Sequence, residues 1–174
     1  MNEFSRLYRL DSLSGEPRRI EIAAEAAERE ALARRFGLVA VEALAAEAEL
    51  RRSGGTVTAS GRLRGKVIQA CVATAEPVEA VVDEPFRIDF RPPPEPRAEE
   101  EIELGEEELD VVFYEGGAVD LGEAVAQTLA LSLDPYPRSP AAEAALRKAG
   151  VKSEEDAWAE ASPFAALKGL KEEE

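Results

Sequence analysis

The chain contains no histidine, and its 174 residues include one cysteine, one methionine and one tryptophan. Without histidine, a protein lacks the usual general base at neutral pH, the commonest metal ligand and the base of Ser-His and Cys-His nucleophile pairs. The lone Cys71 cannot form an internal disulfide, which fits a reducing cytoplasm. We interpret it as a small buried hydrophobe in preference to a nucleophile or metal ligand. We therefore expect no catalytic residue, no metal site and no cofactor.

Long apolar runs are missing too. No run in the sequence approaches the roughly 18 apolar residues of a membrane span. The first residues, MNEFSRLYRLDS, lack the basic start and apolar centre of a signal peptide. The pairs Gly54-Gly55 and Gly116-Gly117 lack the Lys-Ser/Thr of a phosphate-binding loop. We expect a cytoplasmic protein with no membrane partner and no small-molecule substrate.

Acidic residues are abundant and unevenly distributed. The formal net charge is −15; the first 70 residues carry 12 basic and 10 acidic side chains, and the remaining residues carry 9 basic and 26 acidic ones. Binding to a nucleic-acid backbone needs a clustered positive face, which only the first 70 residues could supply. The acidic remainder favours basic partners, of which ribosomal proteins are one class.

The chain is organised around a predicted hairpin from Gly55 to Phe90. Apolar residues alternate with charged ones over 78–90, and a similar alternation over 57–67 changes parity near Gly65, which predicts two long strands with a β-bulge at that glycine. The turn between them falls at Thr74–Pro77. Residues 38–52 are ambiguous, because their alanines and glutamates favour a helix whereas their alternation favours a strand; we predict a strand.

Helices are predicted on either side of this hairpin in the chain. Ala24–Phe36 ends at Gly37, a typical helix C-cap. Leu121–Leu133 begins after a capping box of Asp120 and Glu123 and carries an apolar stripe that should lie on the hairpin. The sequence thus predicts an α+β fold: a curved antiparallel sheet of about five or six strands, forming a partial barrel, with two packing helices and a C-terminal helical tail.

Two segments are predicted to lie outside the packed core of a single domain spanning residues 1–160. Residues 98–110 contain eight carboxylates and no base, so we expect a mobile acidic loop at 92–108; an acidic mimic or metal cluster is the less favoured alternative. The tail 161–174 spaces Phe164, Leu167 and Leu170 by three residues. Docking of these side chains on a partner and packing on the domain's own core are equally favoured.

The most informative polar feature is a row of cations, Arg62, Arg64 and Lys66, which we call the basic stripe. On a strand these side chains share one face and follow each other at about 7 Å, so they could contact RNA phosphates or a partner. The blander interpretation, which we favour, is a solvated face paired with Glu79, Asp83 or Asp89 across the hairpin.

Three segments of the chain resemble the YceD family, the large ribosomal RNA subunit accumulation proteins of bacteria, in their alphaproteobacterial form. They are QACVATAEPVEAVVDEPFRIDF (69–90), VDLGEAVAQTLALSLDPYPRSP (119–140) and SPFAALKGLK (162–171). Many relatives carry a Cys-x-x-Cys in this hairpin and more cysteines after the later helix, a spacing that suggests a metal site. Here the second position is Thr74 and the segment DPYPRSP has no cysteine. A metal role is therefore not transferable to this chain.

The resemblance implies a non-enzymatic ribosome biogenesis factor that supports large-subunit rRNA accumulation and assembly. Its expected partner is the large-subunit rRNA precursor or a ribosomal protein of the large subunit. The alternative is an acidic adaptor or chaperone that holds a basic ribosomal protein without contacting RNA. A carboxylate-based hydrolase is remote, because nearby acids in a sequence do not by themselves form a catalytic pair.

Overall fold

A computed structural model describes residues 3–93 and 111–151 of the protein. In chain order the strands are β1 Leu7–Arg9, β2 Arg18–Ala23, β3 Ala40–Ser53, β4 Thr56–Ala70, β5 Pro77–Arg91, β6 Val111–Phe113 and β7 Ala118–Asp120. The helices are α1 Ala26–Phe36, α2 Leu121–Ser132 and α3 Ala142–Lys148, and a 3-10 turn spans Leu10–Ser12. The predicted α+β class is confirmed, and residues 38–52 are a strand, as predicted, and not a helix.

The chain divides into two compact units. The larger, which we call the sheet unit, comprises residues 1–69 and 79–135; the smaller, the turn unit, comprises residues 70–78 and 136–174. The turn unit contains the connection between β4 and β5 together with α3. The predicted tail and the acidic loop lie outside the described residues, so the division of the chain at 160/161 stays a prediction.

The main sheet has the strand order β2-β3-β4-β5-β6. The pairs β2/β3 and β3/β4 are antiparallel, whereas β6 runs parallel to β5. The prediction of a wholly antiparallel sheet is therefore wrong at this edge. A parallel crossover needs a dozen or more residues, and residues 92–110 between the two strands exceed that length. The five-stranded sheet is not closed, so a partial barrel stays a prediction.

The predicted β-bulge lies in β3 and not at Gly65 of β4, where it was predicted. The register shifts between Val41 and Ala43 in β3, whereas β4 keeps its odd residues inside from Val57 to Gln69. Gln69 is only 8 % exposed, and its amide donates to the backbone oxygen of Asp134 at 2.9 Å. This hydrogen bond satisfies the polar side chain of Gln69 on the inner face, and the change of parity predicted near Gly65 does not occur in β4.

Helix α2 lies on the hairpin, as predicted. At Gly65 a Cβ would meet Leu129 Cδ1 at 2.6 Å, so the absence of a side chain on β4 lets the helix approach the strand. Ser132 also donates to Glu84 of β5 at 3.2 Å. The apolar faces of α2 and of the sheet meet in one core of the sheet unit, whose largest fully buried side chains are Phe4, Leu32, Leu50, Val57, Leu63, Val67, Phe90, Val119, Leu121, Val125 and Leu129.

The N-terminal segment is fastened beside α2. Strand β1 pairs with β7, not with the main sheet. Asp120, at the N-cap of α2, accepts from the backbone N–H groups of Glu123 at 3.2 Å and Arg6 at 2.8 Å and from the hydroxyl of Ser5 at 2.6 Å. The Asp120 half of the predicted capping box is thus confirmed. The carboxylate of Glu123, which the prediction directs back to Asp120, binds Arg35 of α1 at 2.6 and 2.8 Å.

Candidate functional site

The basic stripe projects from the face of the sheet opposite the core. Arg62, Arg64 and Lys66 alternate along β4 with the buried Leu63 and Gly65, because neighbouring residues of a strand point to opposite faces. Their side chains are 50 %, 59 % and 41 % exposed, respectively. All three are accessible to a binding partner, in agreement with the predicted shared face.

Every cation of the stripe has a carboxylate partner on a neighbouring strand. Arg62 Nε lies 2.5 Å from Asp83 Oδ1 of β5, and Arg64 Nη1 lies 2.8 Å from Glu47 Oε1 of β3. Lys66 Nζ is bound from both sides, by Glu42 of β3 at 2.8 Å and by Glu79 of β5 at 3.4 Å. The predicted pairing across the hairpin is confirmed for Asp83 and Glu79. Their counterparts on β3 were missed, because 38–52 could not be assigned a register while it remained ambiguous.

These ion pairs also shift the pKa values of side chains on this face of the sheet. The guanidinium of Arg62 holds the pKa of Asp83 below its usual range, and the hydrogen bonds that Lys66 donates to Glu42 and to Glu79 raise the pKa of Lys66. Exposed ion pairs of this kind add little to stability, because water screens them. The stripe is therefore charged and accessible, but its field is largely cancelled by the carboxylate rows beside it.

Grooves beside the stripe offer little to a small molecule. They run between β2 and β4 over β3 and are lined by Ala45, Glu21, Glu47, Arg62 and Arg64, among others. The linings mix these charged side chains with small apolar ones such as Ala23 and Ala46, whereas a typical ligand pocket is lined mainly by large hydrophobic and aromatic side chains. Within the described ranges, no group of three or more His, Cys, Asp or Glu side chains is placed to hold a metal ion.

A second polar constellation lies in the turn unit around Cys71, and we call it the turn cluster: Cys71, Thr74, Glu76 and Ser139. The backbone N–H of Ser139 donates to Cys71 Sγ at 3.3 Å, and its hydroxyl donates to Glu76 Oε2 at 2.6 Å. The Thr74 hydroxyl lies 3.1 Å from the same carboxylate oxygen and 3.2 Å from Ser139 Oγ. Residues 63 to 68 positions apart in sequence thus meet in one hydrogen-bonded group.

Hydrogen bonding in this group favours the charged form of both acids. The N–H of Ser139, followed by the hydroxyl of Thr74, lowers the pKa of Cys71 to about 6 from its usual 9, against the opposing effect of burial. The hydroxyls of Ser139 and Thr74 lower the pKa of Glu76 as well. Cys71 is only 3 % exposed. The interpretation of Cys71 as a plain buried hydrophobe is incomplete, because its sulfur is a hydrogen-bond acceptor.

The turn cluster does not fit the metal that the spacing of cysteines in related proteins suggests. A structural zinc site takes four ligands, chiefly thiolates and imidazoles. Here one thiol faces two aliphatic hydroxyls and a single carboxylate, and those hydroxyls already bind the carboxylate. The donor set matches a hydrogen-bond network and not a zinc site.

Comparison with known families decides the assignment. The family model described as large ribosomal RNA subunit accumulation protein YceD matches residues 59–171. The chain belongs to the YceD family. No curated protein and no solved structure matches it significantly. The family's description implies a role in accumulation of large-subunit rRNA.

The range matched to YceD contains the whole basic stripe and the whole turn cluster. It begins after β3, so the stripe's partners Glu42 and Glu47 lie outside it. The sequence-predicted docking residues Phe164, Leu167 and Leu170 fall inside the match but outside the described residues. Among the described helices, none is long and apolar enough to cross a membrane.

Proposed function

We propose that this YceD protein is a non-enzymatic ribosome biogenesis factor. It supports accumulation of large-subunit rRNA by binding a component of the assembling large subunit in the cytoplasm. Family membership carries the proposal. The absence of histidine from the sequence and the lack of a three-residue acidic, cysteine or histidine metal group in the described parts support binding over catalysis.

The contact surface in this proposal is the basic stripe. Its three side chains are 41–59 % exposed, and their carboxylate partners are exposed to a similar or greater extent. Exposed pairs of this kind stabilise the fold only weakly, so a phosphate group can replace a carboxylate at small cost. In this view, Arg62, Arg64 and Lys66 exchange their partners on β3 and β5 for consecutive phosphates of the rRNA precursor.

One observation favours the alternative of a protein adaptor. The stripe already has intramolecular partners, and the chain as a whole carries a net charge of −15. Such a protein attracts a basic ribosomal protein of the large subunit and repels RNA at long range. Phe164, Leu167 and Leu170 would then serve as an apolar anchor for that partner, which remains a proposal.

Charge-reversal variants distinguish RNA contact through the basic stripe from the binding of a basic ribosomal protein. The stripe variant Arg62→Glu with Arg64→Glu is compared with a swapped variant that adds Glu47→Arg and Asp83→Arg, which restores the ion pairs in reverse orientation. A control with the same change of charge, Arg9→Glu with Arg147→Glu, alters exposed pairs elsewhere. The readout is co-sedimentation with large-subunit precursors and affinity purification with and without RNase.

RNA contact through the stripe predicts that the stripe and swapped variants both lose co-sedimentation, whereas the control keeps it. A protein adaptor predicts that a ribosomal protein stays bound after RNase and that purified protein does not shift rRNA in a gel. Unchanged co-sedimentation of the stripe and swapped variants would remove the stripe from the proposal. Failure to recover any large-subunit component would remove the proposal itself.

A further inference from the structure

The turn cluster holds together two segments that are distant in sequence. Besides the side-chain contacts, the backbone N–H of Val72 donates to the oxygen of Pro137 at 2.9 Å. The N–H of Ala142, the first residue of α3, donates to the oxygen of Ser139 at 3.0 Å. Ser139 therefore links the turn to the start of α3, and it does so with its N–H, its hydroxyl and its carbonyl.

The side chains of the turn cluster lie close together. Ser139 Oγ lies 3.2 Å from Thr74 Oγ1 and 2.6 Å from Glu76 Oε2, and Ser139 N lies 3.3 Å from Cys71 Sγ. Thiolates on one tetrahedral zinc ion, each about 2.3 Å from the metal, are about 3.8 Å apart. The side chains at positions 74 and 139 are thus close enough for two ligands and the sulfur of Cys71 lies beside them, yet two of these three positions carry hydroxyls.

We propose that Cys71, Thr74, Glu76 and Ser139 form a metal-free clasp that fastens the segment 137–139 to the turn 71–76 and thereby fixes the start of α3. The Ser139 hydroxyl donates to the carboxylate of Glu76, and the Ser139 N–H donates to the sulfur of Cys71. The Thr74 hydroxyl lies within hydrogen-bond distance of Glu76 Oε2 and of Ser139 Oγ. Cys71 and Ser139 are buried, whereas Glu76 is exposed, so the loss of a hydrogen-bond partner is costly mainly at the two buried residues. This inference does not depend on the proposed function.

Hydrogen exchange of the full-length protein tests the clasp. The variant Thr74→Val with Ser139→Ala removes both hydroxyls, and Ser60→Ala on the exposed outer face of β4 serves as control. We expect amide protection at Val72 and Ser139 to fall about tenfold or more in the double variant, the ratio that about 1.4 kcal/mol produces. Protection at Leu63 in the strand should be unchanged. Equal protection of Val72 and Ser139 in all three proteins overturns the clasp.

Metal measurements test the second part of the proposal. Protein purified without chelator should contain much less than one zinc ion per chain, and dialysis against EDTA should leave protection at Val72 unchanged. Stoichiometric zinc whose removal lowers that protection overturns the metal-free assignment.

A variant with added thiols tests whether positions 71, 74 and 139 lie close together. Thr74→Cys with Ser139→Cys places three thiols and Glu76 around the same point, so titration with Co²⁺ should produce a thiolate-to-cobalt charge-transfer band. The single variant Thr74→Cys has only two thiols and should produce a much weaker band. The absence of a stronger band in the double variant would show that positions 71, 74 and 139 do not converge as the structure places them, and would overturn the clasp.

Discussion

Asp120 joins the N-terminal segment to α2, and its loss should be among the most damaging single changes in the sheet unit. We predict that Asp120→Ala lowers the free energy of unfolding by about 2–4 kcal/mol. Loss of an N-cap costs about 1 kcal/mol. Each hydrogen bond to a charged group adds roughly 1.5 kcal/mol when its partner is left without an acceptor, and Asp120 accepts two more, from Arg6 N at 2.8 Å and Ser5 Oγ at 2.6 Å.

Two further variants test whether the effect comes from the hydrogen bonds of Asp120 or from the loss of a carboxylate as such. Asp120→Asn keeps one side-chain oxygen as a cap acceptor, so it should cost less than Asp120→Ala, about 1–2 kcal/mol. Asp11→Ala removes a carboxylate from an exposed ion pair with Arg9, in which the side chains of Asp11 and Arg9 are 65 % and 77 % exposed, and should hardly change the stability.

Urea titration followed by circular dichroism measures all three variants, read as a change in the midpoint at constant slope. If Asp120→Ala and Asp11→Ala unfold at the same urea concentration, the three hydrogen bonds do not fasten the N-terminal segment, and the reasoning fails.

Two further predictions concern close packing and proton linkage. At Gly61 a Cβ would lie 2.0 Å from the backbone oxygen of Glu47, so Gly61→Ala should destabilise the β3/β4 pair by about 2 kcal/mol or more in the same titration; an unchanged midpoint would contradict the close approach. The Cys71 thiolate, followed by its ultraviolet absorbance, should form with a pKa of about 6, and Thr74→Val, which removes a hydroxyl that lowers this pKa, should raise it towards 9, although the Ser139 N–H still donates to the sulfur. Because this pKa is lowered by folding, its contribution to stability is complete above pH 9 and is lost as the pH falls from 9 to 6; an unshifted pKa of about 9 in the wild type refutes the bonding at sulfur.

Sequence periodicity predicted most of the sheet unit for a physical reason. A strand with one buried face must alternate, and this pattern is local, so β3, β4 and β5 could be identified from their own residues. The position of the bulge could not be predicted in this way. Ile68 looks as apolar as any core residue, and only the bond from Gln69 to Asp134, 65 residues away, explains why the polar neighbour takes the inner position.

Contacts between distant parts of the chain account for the other differences. The direction of β6 depends on the path of the connection and not on its own three residues, VVF. Likewise, Ser139 carries no signal of its relation to Cys71 except that it lies in the segment where related proteins have cysteines. Alternation along β4 predicted that the three cations of the stripe share one face. Their partners Glu42 and Glu47 could not be predicted, because that needs the register of β3 against β4.

The pairing of the stripe changes how its salt dependence must be interpreted. A protein that neutralises phosphates with free cations releases their counterions. Its binding constant then falls by about 0.7–0.9 logarithmic units per phosphate for each tenfold rise in salt concentration. Here a phosphate that binds Arg64 displaces Glu47, and the freed carboxylate attracts cations in turn. Net counterion release is then small, so RNA binding through the stripe should depend only weakly on salt. A basic protein held by the acidic surface gains no such compensation and should dissociate as salt screens it. Steep salt dependence of rRNA binding would therefore argue against the stripe, even if binding itself is observed.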